Sequence, residues 1–181
     1  MSDTLITIVA ILLAAVLMFI FPLLSVSERS DDISQLSVAS ATAEFVDNSR
    51  SIGKITMENY TKLITTINAT GNSYDVEMEI KVLDENIGKK SAWTQGTVIG
   101  ENVYYSVYTS QIVEVLEDRN NTYKSNGVYT MKEGDIFSVS VKNTNKTLSQ
   151  TIRGVFYSMS GSDVYSIMAQ HSGVVTANGS Y

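Results

Sequence analysis

The sequence predicts an α+β chain: a long N-terminal hydrophobic helix followed by a small, largely antiparallel sheet with two or three helices. Three observations predict it. Residues 4–24 contain no charge and are almost wholly apolar, enough for a helix that crosses the ~30 Å core of a bilayer. Residues 74–82 alternate apolar and charged side chains, the period of a half-buried strand. Between such strand-like stretches lie segments with three-four apolar spacing, the mark of amphipathic helices packed on a sheet.

The N-terminal segment admits three fates: a cleaved secretory signal, a membrane anchor, or the stem of a polymer subunit. A cleaved signal carries a basic n-region and a shorter apolar core of about 7–15 residues, whereas only Asp3 and the terminal amine precede this longer run. Retention as an anchor is therefore expected, with Leu5, Ile8, Leu12, Ala15, Phe19 and Pro22 on the membrane or assembly helix. The flank after the run carries Glu28, Asp31 and Asp32 against Arg29. With no basic excess on either side, this acidic flank and the Thr-, Ser- and Tyr-rich remainder favour a single-pass protein with its C-terminal domain outside. Pro22 lacks an N–H and is expected to kink or locally unwind the helix.

Three segments follow from this reading: residues 1–26 as the transmembrane or assembly helix, 27–70 as an amphipathic helical continuation, and 71–181 as an extracytoplasmic α+β head. In the continuation, Ile33, Leu36, Ala39 or Ser40, Ala43, Val46 and Arg50 form a narrow stripe. Small residues there permit close helix approach, so Leu36, Ala39, Ala43 and Val46 are expected to pack against the protein's own head or against other copies. Gly53 is the first break, unless the helix runs through it with a bend. Thr56 is then a plausible N-cap with Glu58 in the first turn. Tyr60, Leu63, Ile64 and Ile67 make the apolar face, and Gly71 ends the helix.

The strand at 74–82 places Tyr74, Val76, Met78, Ile80 and Val82 on one face, with Asp75, Glu77, Glu79 and Lys81 on the other. A loop with Gly88, Gly96 and Gly100 follows. Its Gly88-Lys89-Lys90 lacks the second glycine of a phosphate-binding loop, Leu83 standing in that place, and Trp93 reads as a core or loop anchor. Residues 103–108 are β-prone, with Tyr104, Tyr105 and Tyr108 read as packed on the sheet, an interface patch being the alternative. A short helix with Ile112, Val113 and Leu116 starts from Thr109 or Ser110 as N-cap. Residues 128–141 read as a hairpin turning at Glu133-Gly134-Asp135, with Phe137, Val139 and Val141 on one face. A helix with Leu148, Ile152, Val155, Phe156 and Met159 on its apolar side precedes a last strand in residues 163–176.

The composition narrows function. The net charge is −6 with no basic run, which opposes nucleic-acid binding. Without cysteine, and with His171 the only histidine, thiolate metal sites and histidine-based zinc sites are excluded. No serine lies in a G-x-S-x-G turn, and acidic pairs such as Asp84/Glu85 and Glu117/Asp118 fall where they cap or solubilise. The three carboxylates of residues 75–79 form a row of the kind that can bind a cation, but residues two apart on a strand also make an ordinary solvated face, which is the reading preferred. No enzyme activity, metal or cofactor is expected.

The apolar helix with its semi-polar continuation, joined to "INATGNSYDVEMEIKVLDE", "GENVYYSVYTSQIVE" and "MKEGDIFSVSVKNTNKT", resembles the type IV pilin and pseudopilin class. Within it the chain is most similar to TadE-like proteins of Tad-type pilus systems in Gram-positive bacteria. The resemblance implies a pilin-like fold and a structural subunit whose apolar helix anchors it in the bilayer and packs with copies of itself or other pilin-like subunits in a surface filament. Pilins of that class carry a glutamate at the fifth mature position that neutralises a neighbour's terminal amine. Leu5 stands at position five here, leaving Asp3 as the acid available for that role. The competing reading is a membrane-tethered extracytoplasmic binding module that does not polymerise. Large residues at Ala39 or Ala43 distinguish them, blocking association of a packed stem and leaving a tether unaffected.

Overall fold

The computed structural model describes residues 2–84, 104–117, 127–157 and 167–179. The expectations for Gly88-Lys89-Lys90, Trp93 and Met159, and for the first residues of the last predicted strand, lie outside the described residues. The element order is α1 (Ser2–Ile52), β1 (Lys54–Thr56), α2 (Met57–Asn68), β2 (Tyr74–Leu83), β3 (Tyr104–Tyr108), α3 (Thr109–Glu117), β4 (Val128–Thr130), β5 (Ile136–Asn143), α4 (Leu148–Tyr157) and β6 (Met168–Val174). This is the α+β arrangement expected from sequence: a long apolar N-terminal helix, then small antiparallel sheets and further helices.

α1 is 51 residues long and contains Pro22. Of the kink or local unwinding expected at Pro22, the unwinding does not occur, since the helix is continuous through it. A proline removes one N–H and crowds the carbonyl four residues back, and a long helix absorbs that loss by local adjustment. α1 stops at Gly53, whose φ of 69° is a left-handed conformation that closes a helix end. α2 begins as expected, the Thr56 side chain accepting from the Asn59 N–H at 3.1 Å, and Gly71 follows its end with φ 83°.

The main sheet has the order β3-β2-β5-β6 and is antiparallel throughout. Register places Ile80 opposite Phe137 and Val107, Met78 opposite Val139, and Val141 opposite both Val76 and Ala169. These residues therefore share one face, and the apolar half of each period-two pattern is the buried half. α1 lies against this face: Phe45 meets Phe137 edge-to-face with ring centroids 5.8 Å apart. Leu63 and Ile67 of α2, Ile112 and Leu116 of α3, and Met131 complete the same core. Residues 27–70 and 71–181 thus share one core.

One predicted strand pairing and one predicted cap are corrected. The hairpin at 128–141 does not form. The turn exists, with Asp135 N–H donating to Lys132 O at 3.1 Å, but β4 pairs with β1, Ile55 opposite Tyr129. Buried Asp135 separates the two strands by accepting from the Lys132 N–H at 2.8 Å and the Leu83 N–H at 3.0 Å. β1, three residues long, was too short to read as a strand. Thr109 is also not a free cap, since its hydroxyl accepts from Met78 N–H at 2.7 Å and donates to Met78 O at 3.2 Å, replacing a rung of the β2–β3 ladder. Gln111 reaches back instead, accepting from Tyr108 N–H at 3.0 Å.

Candidate functional site

Leu5, Ile8, Leu12, Ala15, Phe19 and Pro22 are all exposed, Phe19 by 78%. A helix that is apolar all round and touches nothing in its own chain requires a non-aqueous partner. α1 is the one helix among the described residues long and apolar enough to cross a membrane, and none of its most apolar window is buried by the protein. This is consistent with membrane anchoring by a single N-terminal helix. Asp3 sits in the first turn, where a carboxylate suits the positive end of the helix dipole. The amine assigned to it belongs to Met1, outside the described residues.

Beyond the apolar run α1 becomes part of the head, through a different stripe from the one expected. Val46 is fully buried, Ala39 and Ala43 are half-buried, and Leu36 is 72% exposed. The buried positions are Ser27, Ser34, Val38, Ala41, Thr42, Phe45, Val46 and Ser49, rotated by one to two residues from the predicted set. Sequence periodicity followed the large apolar residues Ile33 and Leu36. The helix is instead oriented by Phe45, the one aromatic side chain in its second half, and by polar contacts nearer the apolar run.

Those contacts begin four residues after the apolar run. Arg153 donates from Nε and Nη2 to Glu28 Oε1 at 3.0 and 2.6 Å. Asp31 Oδ2 accepts from the hydroxyls of Thr147, at 2.7 Å, and Ser149. Thr147 and Gln150 form a reciprocal cap of α4, Thr147 N–H donating to Gln150 Oε1 at 2.9 Å and Gln150 N–H to Thr147 Oγ1 at 3.3 Å. Of the predicted apolar side of α4, Ile152 is half-buried, Leu148 is corrected, and the side chains of Val155 and Phe156 lie outside the described residues. Leu148 is 56% exposed while Thr147, Ser149 and Gln150 are buried, because the start of the helix docks on Asp31. Farther along, the Gln35 amide donates to Met168 O at 2.6 Å and accepts from Met168 N–H at 2.9 Å. The side chain acts there as an added strand residue on the outer edge of β6.

At the far end of α1, Asp47 accepts from Arg50 Nε at 2.7 Å and lies 3.2 Å from His171 Nε2 on β6. The Arg50 hydrogen bond, then that of His171, holds the Asp47 carboxyl below the ordinary carboxylate range. Glu28, Asp31, Gln35, Val38, Thr42, Phe45 and Ser49 repeat at spacings of three and four. This is a single helix face whose N-terminal end is polar, which hydrophobic periodicity cannot register. The capping box Thr147-x-x-Gln150 was the one legible signal for the junction.

The outer face of the sheet carries Asp75, Glu77 and Glu79. Glu79 accepts from the Ser106 hydroxyl at 2.7 Å, and Asp75 stands opposite Lys142. No group of three or more Asp, Glu or His among the described residues is placed to hold a metal ion. Tyr104, Tyr105 and Tyr108 lie on β3, an edge strand of the main sheet paired with β2, and are partly exposed, Tyr108 most. No family model, curated protein or solved structure matches the chain.

Proposed function

We propose that this chain is a non-catalytic structural subunit. Residues 5–24 hold it in the cell membrane with the head outside, and the exposed face of α1 packs with copies of itself or with other pilin-like subunits into a surface filament or its assembly platform. One observation carries this reading. Leu5, Leu12, Phe19, Val26 and Ile33 recur at seven-residue intervals and every one is exposed, Val26 by 68% and Ile33 by 62%. A lipid anchor requires apolar residues only within the ~30 Å core. This stripe continues past Ser25 along the solvent side of the head-bearing half of α1, where another helix is the partner suited to a seven-residue repeat.

The test is intact-mass and N-terminal sequence analysis of protein recovered from sheared surface material and from membranes. Essentially full-length protein in high-molecular-weight surface material, lost on Ile33→Asp with no loss of head stability, is the expected result. Full-length protein confined to membranes, unchanged by Ile33→Asp, favours the tethered module. A soluble form starting near Glu28 would show a cleaved signal and sink both readings.

A further inference from the structure

Lys62 of α2 reaches Glu44 of α1 at 2.8 Å, and the residues that follow it run back alongside α1 toward the apolar run. Between the two helices lies an open groove of about 490 Å³, lined on one side by Val26, Arg29, Ile33 and three serines of α1 and on the other by Thr66, Ala69 and Thr70. Among these residues Arg29 carries the one charge. It is exposed, and among the described residues it makes no hydrogen bond or ion pair. Its neighbour Glu28 is engaged by Arg153, and Asp32 lines a separate groove on the α4 side. The hydroxyls of Ser30 and Ser37 also have no partner among the described residues. One wall thus offers a guanidinium and two hydroxyl donors.

The opposite wall has the opposite polarity. It is the C-terminal end of α2, the negative pole of a helix dipole, and no basic residue in the last turn offsets it. A ligand with an anionic phosphate and a nearby ammonium matches both walls. The level of the groove matches as well. Residues 4–27 carry no charge and rise about 36 Å as a helix. A hydrocarbon core is ~30 Å thick, and the bilayer with its headgroups about 40–45 Å. Arg29, two residues past the end of that run, therefore falls in the headgroup layer.

We propose that this groove holds the headgroup of a zwitterionic phospholipid from the bilayer that α1 crosses. The phosphate sits on Arg29 and the Ser30 and Ser37 hydroxyls, the ammonium at the end of α2, and the glycerol against Val26. The inference rests on the reading of α1 as a membrane anchor. The occupant is a lipid because Val26 and Ile33, 68% and 62% exposed, continue the flank that Leu12 and Phe19 present to the hydrocarbon. A lipid beside the anchor reaches the groove without leaving the bilayer. Bound there, it ties the head to the membrane surface through α2, and the helix of a neighbouring subunit displaces it on reaching Val26 and Ile33.

The full-length protein is reconstituted into vesicles of phosphatidylethanolamine and phosphatidylglycerol in equal amounts. Flotation with the vesicles tests the anchor, and native mass spectrometry after detergent extraction reads the lipid retained per chain. Retention of one phosphatidylethanolamine is expected for the native protein and for Arg29→Lys. Arg29→Gln, which removes the charge from an exposed side chain, is expected to retain about tenfold less, the loss of a charge-assisted hydrogen bond. Ala69→Trp, which fills the groove without changing its charge, is expected to lose the lipid too, whereas Lys146→Gln, at an exposed lysine outside the groove, keeps it. Equal retention in the native, Arg29→Gln and Ala69→Trp proteins, or a preference for phosphatidylglycerol, would overturn the site while flotation leaves the anchor standing. Native protein that does not float with the vesicles would overturn the anchor reading and this inference with it.

Discussion

Asp31 accepts hydrogen bonds from two hydroxyls whose residues, Thr147 and Ser149, are buried. Asp31→Ala leaves both without that acceptor, and a buried polar group without its partner costs about 1–3 kcal/mol. Urea unfolding should show the loss, and Asp31→Asn, which keeps an acceptor oxygen, should recover part of it. Asp47 makes a pH prediction. Its carboxyl titrates below the ordinary range because Arg50, then His171, favours the charged form. A depressed folded-state value adds stability above the unfolded carboxylate value of about 3.9, and that stability is lost as pH falls through the folded value. Asp47→Asn should therefore reduce stability near neutral pH, and the gap from the native protein should close on acidification below about pH 4. A gap independent of pH would rule out the ion-pair origin. Gly53 and Gly71 both have positive φ, but an added Cβ overlaps Ala177 O at Gly53 and meets nothing within 4 Å at Gly71. Gly71→Ala should cost only the left-handed penalty of roughly 1–2 kcal/mol, and Gly53→Ala clearly more, measured by the same unfolding assay.

At the scale of the element, α1 is two helices in one. Its first half is apolar on every side, and its second half buries one face in the head. Phe45→Ala removes a buried ring packed on Phe137 and should cost about 3–5 kcal/mol of head stability. Leu36→Ala removes a side chain that is 72% exposed and should change head stability by no more than about 0.5 kcal/mol. If both variants are equally destabilising, the orientation of α1 on the sheet is wrong. A loss of surface assembly on Leu36→Ala without a loss of stability would place Leu36 on a contact between subunits. The short strand pair β1–β4 shows the same dependence on neighbours. It forms because Met131 N–H donates to Gly53 O at 2.8 Å and Gly179 N–H to Met131 O at 3.0 Å, so three distant segments hold a pairing that neither strand would sustain alone.

At the scale of the whole molecule, the core of the head among the described residues includes none of the first 26 residues. The buried set on α1 starts at Ser27, and its apolar members start at Val38. Deleting residues 1–24 should leave a soluble head with a thermal midpoint close to that of the full chain in detergent, while membrane partition is abolished. A collapse of the midpoint would mean that the apolar half stabilises the head. Among the described residues, the sheet is covered on one face by α1, and Asp75, Glu77 and Lys81 are exposed on the other.

The sequence by itself determined what depends on short-range chemistry. The apolar run set the length and exposure of the first half of α1, the alternation at residues 74–82 set the buried face of β2, and Thr56, Gly53 and Gly71 marked the helix ends through cap and turn geometry. Tertiary structure decided which side of α1 meets the head. The choice rests on Phe45 finding Phe137 and on Glu28, Asp31 and Gln35 finding Arg153, Thr147, Ser149 and Met168, partners more than 90 residues away. It also decided that β4 pairs with β1. Periodicity reports how polar a face is. It carries no information about a distant hydroxyl, guanidinium or backbone amide that makes a polar face worth burying.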